Sequence, residues 1–176
     1  MHIQNTIQVR LAKPTEYKLI GELMFAVYSN LEGFPKPEEQ PEYYNKLLQV
    51  GKLTANKNTE LIVAVSEKGE IYGAVVFFSD MKYYGSGGTA TLQKNAAGFR
   101  LLAVNDEARG KGIGKVLTMA CIKRAKKLKL NQVIIHTTEA MQTAWGMYER
   151  IGFKRSSDLD FMQQQLKVFG FRLLLN

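Results

Sequence analysis

Hydrophobic and polar positions follow a strand-like pattern in the first half of the chain. Residues 6–12, TIQVRLA, alternate between the two kinds of position, and the apolar runs ELIVAV and EIYGAVVFF are separated by a short polar stretch around Lys68 and Gly69. Alternation with a period of two places one side of a strand on a core, and a turn pair between two such runs favours a hairpin. The first half therefore predicts antiparallel strands.

Helical periodicity interrupts these strands twice. Pro14 suits the first turn of a helix, which we expect to continue through EYKLIGELMFAVYSNL, residues 16–31. Residues 33–44, GFPKPEEQPEYY, hold three of the four prolines and predict a loop. A short helix, YYNKLLQVG, is expected over residues 43–51.

The second half of the chain alternates between strand-like and helix-like segments. The predicted elements, in chain order, are a strand over 99–104, a helix over 112–130, a strand over 132–138, a helix over 139–152 and late strands over 153–161 and 167–175. Gly152 suits the C-terminus of the second helix. A strand, a crossover helix and another strand give a parallel pair. We therefore expect residues 1–176 to form a single domain of mixed α/β class. Its one central sheet should be mostly antiparallel, with one parallel strand pair and flanking helices.

A glycine-rich connection lies between the two halves. Residues 83–98, YYGSGGTATLQKNAAG, carry Gly85, Gly87 and Gly88. These glycines resemble a phosphate-binding loop, but such a loop leads into a helix, whereas a strand is predicted next. A mobile connection is the favoured interpretation.

Composition narrows the class of protein. The chain has 176 residues, of which 45% are hydrophobic, so it can build a sizeable core. The opening MHIQNTIQVR lacks the features of a secretory signal, and no stretch approaches the roughly 18 apolar residues of a membrane span. The single cysteine, Cys121, forms no intramolecular disulfide or zinc site, which favours the cytoplasm and no bound metal.

The positive charge is concentrated in one segment. The net charge is +8, from 24 basic and 16 acidic residues, and no acidic residue lies between Glu107 and Glu139. That interval contains eight basic residues: Arg109, Lys111, Lys115, Lys123, Arg124, Lys126, Lys127 and Lys129. The rest of the chain has equal numbers of basic and acidic residues, 16 of each. The cations from Lys123 onward are expected to form a solvated helix face.

The basic segment begins with a glycine loop, RGKGIGK, at Arg109–Lys115. A glycine loop between a strand and a helix presents unpaired backbone N–H groups at the positive end of the helix dipole, which favours a phosphate ligand. A Walker A loop would need Ser or Thr after Gly114-Lys115, where Val116 stands. A dinucleotide fingerprint would need a third glycine at 115 or 117, so it is excluded too.

Two blocks in this region resemble a known family. The first is Arg-x-x-Gly-x-Gly, formed by Arg109, Gly112 and Gly114, and the second is AWGMYERIGF, residues 144–153. Together they resemble the signatures of the GNAT N-acetyltransferase superfamily. The resemblance implies a GNAT-like acyl-CoA N-acyltransferase fold and acetyl-CoA as cosubstrate. It also implies direct transfer of acetyl to an amine of a small molecule or peptide.

The resemblance also implies roles for individual residues. The expected cofactor-binding residues are Leu102, Ala103, Val104, Arg109, Gly110, Lys111, Gly112, Ile113, Gly114, Lys115, Thr138, Met141, Ala144 and Tyr148. The backbone N–H of Val104 would stabilise the oxyanion, and Tyr148 would act as general acid on the CoA thiolate. Without the second block, Tyr148 would be read as a core tyrosine. His136 and Trp145 are likewise read as structural residues, and Thr137 as a further candidate contact.

The chain departs from the family pattern at two places. Met141 stands where many relatives have an asparagine, so that contact is lost or supplied by Gln142. No carboxylate occupies residues 97–99, where some relatives carry a glutamate base. This absence favours an acceptor whose amine deprotonates readily, such as an α-amine, or deprotonation through water. Glu22, Asp80, Glu139 and Asp160 are the remaining candidate bases.

Two other functions stay open at this point. A non-enzymatic acyl-CoA-binding sensor would keep the loop without efficient chemistry. Nucleic-acid binding would use the basic segment and the sequence pI of about 9.5, but no helix-turn-helix or aromatic-rich basic sheet supports it, and we expect no nucleic-acid or membrane partner. The oligomeric state is open, with a homodimer as one of the options.

Overall fold

The computed structural model describes residues 6–176. The expectation of no secretory signal rested on residues 1–10, of which the first five lie outside the described residues. Within 6–176 the strands are β1 (Gln8–Leu11), β2 (Thr59–Val65), β3 (Ile71–Phe78), β4 (Ala96–Val104), β5 (Gln132–Thr137), β6 (Lys154–Arg155), β7 (Phe161–Gln163) and β8 (Leu166–Leu174). The α-helices are α1 (Tyr17–Ser29), α2 (Pro41–Leu48), α3 (Ile113–Lys127) and α4 (Gln142–Ile151).

The strands form one sheet in the order β1-β2-β3-β4-β5-β8-β6, with β7 paired to β8. The pairing is antiparallel except between β4 and β5, which α3 connects as a crossover. The mixed α/β class and the mostly antiparallel sheet with one parallel pair are therefore confirmed. The hairpin of β2 and β3 is also confirmed, with Gly69 at a φ of 83° in its turn.

The spacing of apolar residues explains which face each helix buries. Helix α1 turns Ile20, Met24 and Tyr28 inward, at intervals of four residues, and α2 packs beside it on the same face of the sheet. Helix α3 buries Leu117 and Cys121 in the same way on the opposite face, together with α4. The sheet thus lies between two helical layers, each with its own core.

The parallel pair separates soon after it forms. Strands β4 and β5 pair only from Ala96 to Gly98 on β4, although β4 continues to Val104. The register between β3 and β4 shifts beyond Arg100, and Leu101 has a φ of 60°. This bulge places Arg100 and Leu101 on the same face, toward α1 and α2, and bends β4 away from β5. An opening through the sheet results.

Three sequence predictions need correction. The strand expected over 153–161 is wrong, because a 3-10 turn at Ser157–Leu159 separates β6 from β7. The chain turns there because the Asp160 carboxylate accepts hydrogen bonds from the Gly170 N–H and from Arg155. The loop expected through residue 44 ends earlier, since α2 begins at Pro41, and the second-half helix begins at Gln142 rather than at residue 139.

The connection expected to be mobile contains two 3-10 turns, Met81–Tyr83 and Ala90–Leu92. Its residues Gly87 and Gly88 pack closely against Phe161 of β7. Among residues 6–176, no helix has the length and apolar character needed to cross a membrane.

Candidate active site

A cleft of about 920 Å³ occupies the opening between β4 and β5. The predicted cofactor residues that line it are Leu102, Val104, Arg109, Gly110, Gly112, Ile113, Gly114, Lys115, Thr138, Met141, Ala144 and Tyr148. The two that do not line it are Ala103, whose side chain is buried against the α1 layer, and Lys111, whose ammonium lies 4.8 Å from the centre of the Tyr72 ring. The two sequence blocks are thus brought together in one cavity.

The glycine loop leaves the first turn of α3 open. Gly110 and Gly112 adopt φ values of 79° and 74°, which glycine tolerates and other residues rarely adopt. No side chain caps the helix at Gly112, and the first intrahelical bond runs from the Val116 N–H to the Gly112 carbonyl. The N–H groups of residues 113–115 therefore point out of the helix end toward the cleft, as an anion site requires.

Arg109 is held beside this loop by a 2.9 Å ion pair with Asp106. Both side chains are largely exposed, so the pair contributes little to stability. Its geometric effect is to fix the turn that leads into the loop. Lys115, one turn into α3, is exposed at the same rim.

The free edge of β4 faces the same cleft. The Asn105 N–H donates to the Tyr72 carbonyl of the β3 side at 2.8 Å. Because backbone groups of successive strand residues point to opposite sides, the N–H of Val104 points toward the side where β5 has separated. Leu102 shares that direction, and its carbonyl accepts a 2.9 Å hydrogen bond from the Tyr28 hydroxyl of α1.

Tyr148 lies under the loop on α4. Its side chain is buried, with ring centres 5.9 Å from Phe99 and 5.7 Å from Phe153. No described residue makes a hydrogen bond to its hydroxyl, although the residue lines the cleft. Burial raises the pKa of Tyr148 above its ordinary value, so the phenol stays protonated at neutral pH.

Two buried hydroxyls lie at the end of β5. Thr137 and Thr138 are 2% and 3% exposed, and both line the cleft. Neither hydroxyl oxygen has a hydrogen-bond partner among the described residues. Buried polar groups normally have a partner, so a polar ligand group placed here would be stabilised.

A hydrogen-bonded pair closes the opposite wall of the cleft. His136 Nε2 lies 2.8 Å from the Leu159 carbonyl, so it carries the proton, and Nδ1 accepts from the Tyr84 hydroxyl at 2.9 Å. Burial, followed by the charge of Arg100, lowers the pKa of His136 and keeps it neutral. Both ring nitrogens have partners, as expected for a structural histidine.

Several cleft residues escaped sequence reasoning. The cavity is also lined by Tyr28 of α1, Tyr43 of α2, Tyr84 directly after the Met81–Tyr83 turn, and Arg100 of β4. No motif joins such distant positions. The one available signal was the arginine itself, because a cation inside the buried-type strand FRLLAV needs a polar environment.

The four candidate bases lie elsewhere. Glu22 and Glu139 are exposed, Asp80 accepts the Lys82 N–H, and Asp160 pairs with Arg155. No aspartate or glutamate of the described chain lines the cleft.

The remaining candidates have structural partners. The Gln142 amide, suggested as a substitute for the missing asparagine, donates to the Glu139 carbonyl. The indole of Trp145 packs against Phe169 and Phe171. No cluster of three or more potential metal ligands occurs within the described residues.

The fold and the site define a class of protein: a mixed α/β domain with an uncapped, glycine-flanked helix N-terminus beside a pair of separated parallel strands. Comparison with known families agrees with this class, since the model of the acetyltransferase (GNAT) family matches residues 23–153. The chain belongs to the GNAT acetyltransferase family.

Relatives of known sequence match the chain over short regions. A mycothiol acetyltransferase of Pseudarthrobacter chlorophenolicus is 39% identical over 67 residues, which are 38% of this chain and 20% of that protein. The human N-acetyltransferase 8B is 30% identical over 71 residues, 40% of this chain and 31% of that protein. The chain thus spans less than a third of the length of either relative.

Solved structures match almost the whole chain. An acetyltransferase of the GNAT family from Staphylococcus aureus Mu50 has a TM-score of 0.74 at 16% identity, covering 97% of this chain and 100% of that one. A GNAT phosphinothricin acetyltransferase from Sinorhizobium meliloti, in complex with AcCoA, has a TM-score of 0.69 at 21% identity, covering 97% and 89%. At these identities the likeness establishes the fold.

Proposed function

We propose that the protein transfers acetyl from acetyl-CoA directly to an amine of a small molecule or peptide. The observation that carries this proposal is the convergence of three groups on one cleft: the open amides of α3, the free edge of β4 and the protonated Tyr148. Each group serves a different part of a thioester substrate. The acyl acceptor would reach the thioester through the opening in the sheet.

The cofactor would be held mainly by backbone. The N–H groups of residues 113–115 would bind the phosphates, and the β4 edge at Leu102 and Val104 would pair with the extended arm of the cofactor. Thr137 and Thr138 offer unpartnered hydroxyls at the facing end of β5. The cleft therefore fits a long ligand with phosphate at one end and amide groups in the middle.

Two residues would assist the transfer itself. The Val104 N–H would donate to the thioester oxygen as negative charge develops there. The Tyr148 hydroxyl would give its proton to the departing thiolate, and its raised pKa ensures that the proton is present at neutral pH. The bond from the amine nitrogen to the acetyl carbon forms as the carbon–sulfur bond breaks, with no covalent enzyme intermediate.

No carboxylate of the described residues lines the cleft, so none is positioned there to deprotonate the amine. An α-amino group at a peptide terminus, with an ordinary pKa of about 7.7–8.0, is neutral in roughly one molecule in ten at pH 7, whereas a lysine side chain is neutral in about one in 2,500. The α-amine of a free amino acid, whose pKa its own carboxylate raises, lies between the two. The positive charge of Arg100 in the cleft also disfavours an ammonium beside it. An α-amine or similarly acidic amine, losing its proton to water, is the acceptor that these conditions favour.

A second candidate function is a non-enzymatic acyl-CoA-binding sensor. The absence of aspartate and glutamate from the described cleft lining, together with Met141 in place of a polar residue, favours it. Such a protein would bind CoA and acetyl-CoA with comparable affinity and release no thiol with any amine.

Thiol release distinguishes the two. The purified protein is incubated with acetyl-CoA and a panel of α-amines, diamines and peptides, and free CoA is measured against a reaction without amine. Amine-dependent release with formation of the N-acetyl product supports the transferase. CoA binding by calorimetry without any release would support the sensor and contradict the transferase.

The compartment and the partners form part of the same proposal. We place the protein in the cytoplasm, since its only cysteine is a buried free thiol that suits a reducing environment. The partner is the amine acceptor itself.

A further inference from the structure

The cleft has two differently built sides. Tyr148 and the glycine loop belong to the layer of α3 and α4, whereas Arg100, Tyr43 and Tyr84 belong to the layer of α1 and α2. A thioester held along α3 and β4 would present its carbonyl to the second side through the opening. The groups on that second side therefore meet the acceptor.

Arg100 is a cation without a counter-ion on this side. Its Nη1 donates to the Tyr84 carbonyl at 2.8 Å, and its guanidinium carbon lies 5.5 Å from the centre of the Tyr84 ring. No carboxylate within residues 6–176 pairs with it, and it lines the cleft. A guanidinium has five N–H donors, so most of them remain for a ligand.

Tyr43 supplies a second donor on the same side of the cleft. The aromatic rings of Tyr28, Phe34 and Tyr44 pack around it at 5.5–6.3 Å and fix its position. Its hydroxyl makes no hydrogen bond within the described chain, and Tyr43 lines the cleft. Burial raises the pKa of Tyr43 to about 12 in spite of the opposing charge of Arg100, so the hydroxyl stays a donor.

The phosphates of the cofactor do not account for this pair. Arg100 precedes Val104 by four strand residues, which is roughly 13 Å along β4. The phosphate-binding amides of residues 113–115 lie still further along the chain and on the other face of the sheet. The hydrogen bond to the Tyr84 carbonyl also does not account for Arg100, because it uses only one of the guanidinium N–H donors.

We propose that the acceptor carries an acidic group beside its amine, and that Arg100 and Tyr43 bind this group. The acidic group is a carboxylate or a related oxyanion such as a phosphonate, whose oxygens match the guanidinium fork. The inference rests on the proposed acetyl transfer and specifies its substrate class: small amino acids in the broad sense rather than plain amines or diamines. The aromatic cluster around Tyr43 would contact the carbon chain of the acceptor.

The first test uses the unmodified protein and matched acceptors. Glycine, L-methionine and L-phenylalanine are each compared with their C-terminal amides, and 2-aminoethylphosphonate is compared with ethanolamine. The acidic member of each productive pair should show a kcat/KM about 10- to 100-fold higher, because a hydrogen-bonded charge contact is lost in the neutral one. This preference would run against intrinsic reactivity, since the amine of an amide is more readily neutral than that of the acid.

The second test removes the cation. In Arg100→Gln the acid-to-amide preference should fall by about 10-fold or more, mainly through KM, and Arg100→Lys should retain part of it. The Kd for CoA should stay within about twofold of the unmodified value, by calorimetry. Lys82→Gln is the matched control, because Lys82 is exposed on the adjacent 3-10 turn and does not line the cleft.

Each alternative result has a distinct meaning. Equal rates with acids and amides in the unmodified protein would overturn the acidic acceptor while leaving acetyl transfer intact. No transfer to any amine would contradict the proposed function itself. Arg100→Gln could instead lower kcat/KM equally for the acid and its amide, and also lower the unfolding temperature. That result would mean that Arg100 only stabilises the fold by capping the Tyr84 carbonyl, and it would overturn the proposal.

Discussion

The two sides of the cleft present different kinds of chemical group, backbone amides on one side and side chains on the other. On the side of α3, the candidate binding groups are backbone amides left open by a glycine loop, with one phenol from α4 beneath them. On the side of α1, they are side chains that reach one place from four separate segments, with Arg100 and Tyr43 as the free donors. A backbone site needs a fixed local spacing, whereas a side-chain site needs only proximity in space.

Residues close together in sequence therefore encode the α3 side of the site, whereas the α1 side depends on tertiary packing. In the proposed function, the α3 side would hold acetyl-CoA through groups at a fixed local spacing. The α1 side would select the amine acceptor.

Tyr148→Phe should lower kcat by about 100-fold or more, because the thiolate would depart without a proton donor. The hydroxyl makes no hydrogen bond to the described chain, so the fold should be retained. Steady-state kinetics measure kcat, and calorimetry with CoA measures binding, which should change by less than about threefold. Unchanged turnover would remove Tyr148 from the chemical step.

Gly112→Ala should destabilise the fold by about 1–2 kcal/mol, because alanine is strained at a φ of 74°. The strained backbone at residue 112 should also displace the N–H groups at the start of α3, which would weaken CoA binding by roughly 10-fold. Thermal unfolding and calorimetry measure the two effects.

Gly114→Ala is the control for stability at that loop. Its added Cβ would lie 3.6 Å from the Met147 sulfur, an ordinary contact, and its backbone is helical. It should be as stable as the unmodified protein or slightly more so. Equal destabilisation by both substitutions would mean that backbone conformation is not what the loop requires of glycine.

The smallest predicted effect is a pH dependence on the α1 side. The pKa of His136 is lowered from 6.5 in the fold, so the unfolded chain binds a proton more readily just below that pH. The contribution of His136 to the unfolding free energy is therefore complete above about pH 6.5 and declines as the pH falls toward the folded value. The carboxylates of Glu16 and Asp158 have folded pKa values of about 2, lowered from 4.5 and 3.8, so most of their contribution to stability is lost below pH 5.

Denaturant unfolding between pH 5 and 8 measures this slope in the unmodified protein and in His136→Gln. The variant loses its hydrogen bonds to Tyr84 and Leu159 at every pH, so slopes rather than absolute stabilities are compared. The slope should be smaller in the variant. Identical slopes would contradict a neutral His136 in the fold.

The fold was largely predictable because its second half obeys simple periodicities. The segment from β4 through α4 combines apolar strands with helices whose buried residues recur every three or four positions, and its glycines end or begin helices. The late strand over 153–161 was not predictable, because its interruption depends on Asp160 contacting Gly170, a residue ten positions later. The bulge at Leu101 also escaped, since leucine rarely adopts a positive φ.

The α3 side of the candidate site was predictable because its residues lie close together in sequence. The residues at 109–115 and Tyr148 follow a fixed spacing, and the structure brings them to one cleft. That Arg100 and Tyr43 line the same cleft depends on the tertiary packing of separate elements, which no local pattern encodes. None of the four carboxylates considered as bases lines the cleft, although Glu139 and Asp160 are neighbours in sequence of residues that do.

The hydrogen bond from Tyr28 to the Leu102 carbonyl ties the two sides together. Helix α1, whose Tyr28 lines the cleft, is thereby fixed to the strand edge that the coenzyme would contact in the proposed function. A substitution that shifts α1 on the acceptor side would therefore also shift the β4 edge on the coenzyme side, because this bond joins the two directly. The two sides of the cleft are mechanically coupled through one phenol.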